Sequence, residues 1–490
     1  MIFNSYVFVF LYMPVVVILY HGLNRAGYFR ASKLMLLAAS LLFYCFNGPE
    51  ALPVLLISIT VNYLLALCIN KNADRTGLRR LVTAAGIILN LALLIYFKYL
   101  GFFSDVINSL SGAGITVEAV LMPLGISYYT FSQIAFLVDT YRDPETHYGF
   151  LDYALFISFF PKISVGPIAF AKDMIPQFND DLRKVLSYDN IAKGMVIFAV
   201  GLSKKVLIAD NLENYVTWGF SNLEVLGTTN ALIVLLAYTM QIYFDFSGYC
   251  DMAKAICLML NIELPDNFLS PYRAVSVEDF WKKWHITLTS FFTRYVYIPL
   301  GGNRKGKIRT YINMFIIFFL SGLWHGASYN FIIWGLIHGA GITMSKLFKE
   351  RMVKLPLFLR RLGTFCFINF TWVFFRAPDL KDAGVFLRQL FSMNFYPVNM
   401  ELVAKATPDE MQFLQWMILT GADKTPYISG CIIAIGFLLA SVFISMYCRN
   451  STERLVTMKF SGRTVATTVI LMVLSILSLS GVSKFIYTNF

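Results

Sequence analysis

Apolar runs near the roughly 20 residues that a membrane crossing needs recur along this chain, and the loops after the first four alternate between basic and free of Lys and Arg. No other feature restricts its folding as tightly. The run at about 3–20 ends at Arg25, Arg30 and Lys33. The next, about 34–46, is short for a full crossing, and 51–70 leads to Lys71, Arg75, Arg79 and Arg80. The run at 81–100 then opens into residues 101–120, which contain no Lys or Arg. Four consecutive segments thus place their basic flanks on one face, as the positive-inside rule requires, which predicts Met1 outside the cytoplasm. Backbone polar groups in hydrocarbon must be satisfied internally, so runs of this length are helices. Composition agrees: 57% of the 490 residues are hydrophobic and 14% charged. Soluble domains carry roughly 25% charge. The chain is therefore an all-α polytopic membrane protein.

Further runs follow at about 121–138, 230–247, 311–323, 329–345, 363–376, 430–447 and 465–480. The stretch 151–208 is ambiguous, because Pro161, Lys162, Gly166 and Pro167 break ALFISFFPKISVGPIAF and suggest a re-entrant or interfacial segment. Residues 263–310 mix aromatic and basic side chains, the composition of a cytoplasmic-side amphipathic region. The mixed loop 377–428 is expected outside. MIFNSYVFVFLYMPVVVILY lacks a basic leader and a cleavage site and reads as a retained span. The excess of 41 basic over 29 acidic residues matches loops facing anionic lipid, and no nucleic-acid reader motif accompanies it. Seven scattered cysteines without C-x-x-C indicate neither a disulfide framework nor zinc. With no internal repeat, residues 1–490 form a single membrane domain.

Ser321–Gly339, SGLWHGASYNFIIWGLIHG, puts two histidines inside a membrane-spanning run. An ionisable group at that depth is costly and by default marks a functional site. His325, between Gly322 and Gly326, is the first candidate; a core histidine bonded to a neighbouring helix is the plainer alternative. His338 lies 13 residues on, about 20 Å of rise along a straight helix, so the two share no site unless the helix breaks. Gly335 and Gly339 mark His338 as a packing residue. His21 and His147 are expected in solvated loops. His285, in FWKKWHITLT, follows Trp281 by one helical turn, which predicts an indole wall on the same face. No convergent set of metal ligands is present, and metal is disfavoured.

Together, WHGASYNFIIWG, FWKKWHITLTSFFTRYVYIPLGGNR and YFDFSGYCDMA resemble the membrane-bound O-acyltransferase family, and within it the bacterial branch that O-acetylates alginate or peptidoglycan. The resemblance covers most of the chain. It implies a ring of roughly 11–12 transmembrane helices, with re-entrant and interfacial helices, around a central tunnel in the bacterial inner membrane. It implies acyl transfer from a cytoplasmic thioester, acetyl-CoA first among candidates, with no permanently bound cofactor. The family's catalytic histidine corresponds to His325 and its second polar position to His285. The ending within 483–490, Phe485-Ile486-Tyr487-Thr488-Asn489-Phe490, resembles an F-x-Y-x-x-F tail whose tyrosine relays the acyl group on the extracytoplasmic side. A frayed aromatic anchor is the alternative there. A periplasmic acetylase or acetylesterase-like partner is implied as well.

The chemistry needs a base, a hydroxyl and donors for the oxyanion. His325 suits the base, Tyr487 the hydroxyl, and His285 would orient substrate or polarise the thioester carbonyl. Trp324 lies beside the base. Ser328 and Asn330 are candidate positioning donors or, equally, helix–helix hydrogen bonds. Lys282 and Arg304 belong to a basic block suited to donor phosphates or simply to an interface. Asp245 and Asp251 are expected to partner a buried cation, with gating of the tunnel as the alternative, and Asp245 is also a candidate for substrate or donor binding. Alginate is the first acceptor to consider, with peptidoglycan or another exopolysaccharide next. A transporter is the competing class, and a scaffold that only anchors periplasmic acetylases is a third reading.

Overall fold

The computed structural model describes residues 1–112, 114–115, 121–407, 412–420, 424–479 and 485–486; among these, every named element is helical. The first four long helices, α1 (Met13–Arg25), α2 (Phe29–Cys45), α3 (Leu52–Lys71) and α4 (Thr76–Lys98), pack in sequence, and α5 (Ile126–Arg142) lies against α3 and α4. Next come α6 (Tyr188–Ser203), α7 (Asp210–Ser221) and the 33-residue α8 (Gly227–Met259). After the loop-rich stretch that follows α8 come α9 (Ile286–Phe292), α10 (Gly306–His325), α11 (Tyr329–Leu347) and α12 (Leu357–Arg376). The chain closes with α13 (Lys424–Tyr447) and α14 (Gly462–Leu477).

Five described helices are long and apolar enough to cross a bilayer unaided. Four of them are largely exposed, with apolar faces turned outward, whereas α8 is 83% buried over its apolar window and forms the centre of the molecule. α10, α11 and α12 are 19 to 20 residues long but carry polar side chains inward.

Sequence had left 151–208 undecided. The segment 159–169 is wholly buried in protein, with a short turn at Phe160–Ile163. That is the setting in which irregular backbone is tolerated at membrane depth. Its carbonyl at Ile163 comes so close to Gly125 (φ +67°) that a Cβ there would lie 2.0 Å from the oxygen, so only glycine fits.

Two expectations fail here. His21 is not in a solvated loop; it sits buried on α1 with Nε2 2.7 Å from the Met259 carbonyl, tying α1 to the end of α8. The segment 377–428 is not a plain loop, since Leu380–Leu390, Met400–Ala406 and Gln412–Thr420 are helical.

Candidate active site

α10 and α11 form a tight antiparallel pair. A Cβ on Gly322 would stand 2.2 Å from the Phe331 carbonyl oxygen, and one on Gly335 2.3 Å from that of Phe318. Backbone meets backbone, as small residues permit between membrane helices. The chain breaks at Gly326–Ser328 in extended conformation, leaving His325 as the last residue of α10. Orphan carbonyls at that end need donors. The Tyr99 hydroxyl donates to Leu323 O, and Lys98 Nζ donates to Trp324 O at 2.6 Å. The end of α4 thus caps the helix that carries His325.

His325 is 1% exposed. Its ring lies 4.9 Å from Trp324, 5.0 Å from Trp334, 5.1 Å from Phe375 and 6.4 Å from His285. The break between α10 and α11 does not bring His338 into the site. His338 accepts a hydrogen bond from Trp281 Nε1 at 3.2 Å, with Trp334 packed between the two histidines.

His285 joins His325 for a reason the sequence did not disclose. The helical turn Val277–Trp281 ends before it, and His285 takes a left-handed conformation (φ +46°) at the start of α9. Trp281 and His285 therefore do not share a helix face; Trp281 packs on His338, while Phe246 (4.9 Å) and Trp324 (5.7 Å) flank His285. A non-glycine residue at positive φ is strained and must be held by its surroundings. Here a bridge between Phe268 and Trp284 and the bond from Ile286 N to Asn267 O (3.2 Å) hold it.

The remaining candidates divide. Ser328 borders a cavity beside His325. Asn330 donates to the Ala377 carbonyl at 2.7 Å and links α11 to the residue after α12. Lys282 pairs with Glu278 at 3.1 Å on an exposed rim. Arg304 lies in the exposed turn before α10, a 20-residue helix away from His325, about 30 Å. Asp245 forms a buried ion pair with Lys205 at 2.6 Å, and Asp251 pairs with Lys204 at 2.6 Å. Tyr487 lies outside the described residues.

Two cavities approach from opposite ends of α10. One of about 200 Å³ has Glu278, Lys282 and Lys346 at the basic-loop end and reaches Ser321, one turn before His325. The other, about 560 Å³, is bordered by Lys98, Gly326, Ser328, Arg376 and Ile486. His325 lines neither, yet Ser321 lines one and Gly326 the other. Among the described residues no group of three or more His, Cys, Asp or Glu converges as a metal site.

Sequence reasoning missed Lys98 and Asn267. Lys98 carried a usable signal, the single Lys or Arg within residues 81–120, at the end of an apolar run. Asn267 sits in an irregular polar loop and carried none.

Among the described residues, an all-helical fold with five membrane-length apolar helices and a buried histidine pair defines a polytopic membrane protein with a polar interior site. The chain belongs to the membrane-bound O-acyltransferase family, whose sequence model matches residues 41–381, and it is accordingly a multi-pass O-acyltransferase. It is 41% identical over 424 residues to the peptidoglycan O-acetyltransferase of Helicobacter pylori, covering 80% of each chain. It is 37% identical over 407 residues to the probable alginate O-acetylase AlgI of Pseudomonas aeruginosa, covering 81% of this chain and 76% of the relative. A teichoic acid D-alanyltransferase of Bacillus subtilis is 31% identical over 245 residues, 46% of this chain and 60% of the relative.

Proposed function

We propose that the protein takes an acetyl group from a thioester, acetyl-CoA first among candidates, on the face of its basic loops, and passes it to a hydroxyl on the opposite face for O-acetylation of an extracytoplasmic glycan. The observation that carries this reading is the placement of His325 between Ser321 and Gly326, each in the wall of a different cavity. In the transfer, His325 takes the proton of the attacking hydroxyl and the oxygen adds to the thioester carbonyl carbon. The C–S bond then breaks, and the departing thiolate receives the proton from the imidazolium.

The basic loops are assigned to the cytoplasm of a bacterial inner membrane, with both termini outside. The acceptor hydroxyl is assigned to Tyr487. Supporting this, the tail just before it is drawn into the fold: the Phe485 ring meets Tyr249 at 4.7 Å, and the Ile486 N–H donates to Asp245 Oδ2 at 2.8 Å. Ile486 also borders the cavity that contains Gly326. An aryl ester leaves more readily than an alkyl ester because a phenol's pKa is only about 10, so acetyl-tyrosine would serve a periplasmic acetylase as donor. Among glycans, peptidoglycan is tested first and alginate second, in the order of similarity of the relatives. A transporter would move its substrate without covalent change.

The experiment is transfer of label from [14C]acetyl-CoA by the protein in proteoliposomes. Label covalently on protein or glycan is expected from wild type and none from His325→Ala at equal membrane yield. Wild-type labelling in that variant overturns the assignment.

A further inference from the structure

We infer that Asn267 is a positioning residue for this transfer, fixing the proton of His285 on Nδ1 and leaving Nε2 as the acceptor nitrogen of that ring. The hydrogen bonds around Asn267 carry the assignment. Thr287 N–H, which can only donate, reaches Asn267 Oδ1 at 3.2 Å. The Thr287 hydroxyl accepts the Ile168 N–H at 3.0 Å and turns its own proton to the same Oδ1 at 2.9 Å. On its other edge, Asn267 Nδ2 points to Cys250 Sγ at 3.4 Å. The amide therefore cannot be flipped. Its oxygen lies 3.2 Å from His285 Nδ1, and an amide oxygen only accepts, so Nδ1 carries the proton. A neutral imidazole has one N–H, and Nε2 holds the lone pair.

This inference rests on the proposed acyl transfer and changes one part of it. Polarising the thioester carbonyl, a role the sequence allowed for His285, needs an N–H at Nε2. The fixed tautomer instead offers a lone pair next to His325. The rings stand 6.4 Å apart. When His325 takes up the hydroxyl proton, the lone pair on the neighbouring His285 ring favours the imidazolium electrostatically. Among the described residues, the titratable groups that face His285 are His325 from α10 and, through Asn267, Cys250 from α8.

Two measurements test this. In the full protein labelled with [15N]histidine and held in lipid, solid-state NMR reads the tautomer, with the resonance assigned by loss in His285→Gln. A protonated Nδ1 and a bare Nε2 are expected, and a proton on Nε2 overturns the inference. In acetyl-CoA turnover, Asn267→Leu should lower kcat by about a hundredfold at unchanged KM for acetyl-CoA. Asn267→Asp keeps the acceptor and adds a charge that favours imidazolium, so its activity returns but the acidic limb of the pH–rate profile moves up by about one unit. Wild-type kcat and pH profile in Asn267→Leu would also overturn the inference. A wild type that transfers no acetyl at all removes the proposed function, while the spectrum still decides the tautomer.

Discussion

Lys98 donates to the carbonyl oxygen of Trp324 at 2.6 Å, so the side chain that ends one membrane helix closes the end of another at the residue before His325. A donor at a helix C-terminus satisfies an orphan carbonyl. Lys98→Met removes it. Leaving a buried acceptor unsatisfied costs about 1–3 kcal/mol. A lower thermal midpoint in detergent and an at least tenfold fall in acetyl transfer are expected, and an unchanged midpoint with full transfer would show that the cap is idle.

Asp245 has two tasks, pairing with Lys205 and receiving the Ile486 N–H. Removing one partner of a buried ion pair costs about 3–5 kcal/mol, so Asp245→Leu should be markedly destabilised. Lys205 also pairs with Asp210 at 2.8 Å, so recovery of most of that stability requires all three changes, Asp245→Leu, Lys205→Met and Asp210→Asn. The tail anchor stays lost, and digestion by carboxypeptidase should accelerate relative to wild type. Equal digestion rates would mean that Asp245 does not hold the tail.

The crossing of α10 and α11 tolerates no side chain at Gly322 or Gly335. Overpacking typically costs about 1–3 kcal/mol, and here the obstacle is backbone. Gly335→Ala should lower folded yield and activity together. Gly363→Ala, with nothing within 4 Å of its Cβ, should behave as wild type or slightly better. Equal behaviour of the two variants would contradict the close crossing.

Tyr487→Phe deletes one oxygen and should stop acetyl reaching the external glycan while leaving the membrane protein folded. Mass spectrometry of the wild-type tail under acetyl-CoA turnover should find acetyl on Tyr487. Continued glycan acetylation in the variant would remove the relay and leave the role of His325 standing.

What the sequence determined by itself was the solvent of this protein and one buried histidine, His325, set inside a membrane run. Apolar run length and the placement of Lys and Arg act locally, so helical spans and the α10–α11 turn at Gly326 were legible from neighbouring residues. His325 stood out because a membrane run seldom contains such a group. The tertiary structure alone decided which groups meet it. His285 looked like the partner of Trp281 because helical spacing puts them on one face, but the helix ends between them, and contacts from α8 and the loop at Asn267 hold the imidazole at positive φ instead. Lys98 and Trp324 are 226 residues apart. Local spacing has no reach over such distances, and only packing converts a lone lysine and a helix end into part of one site.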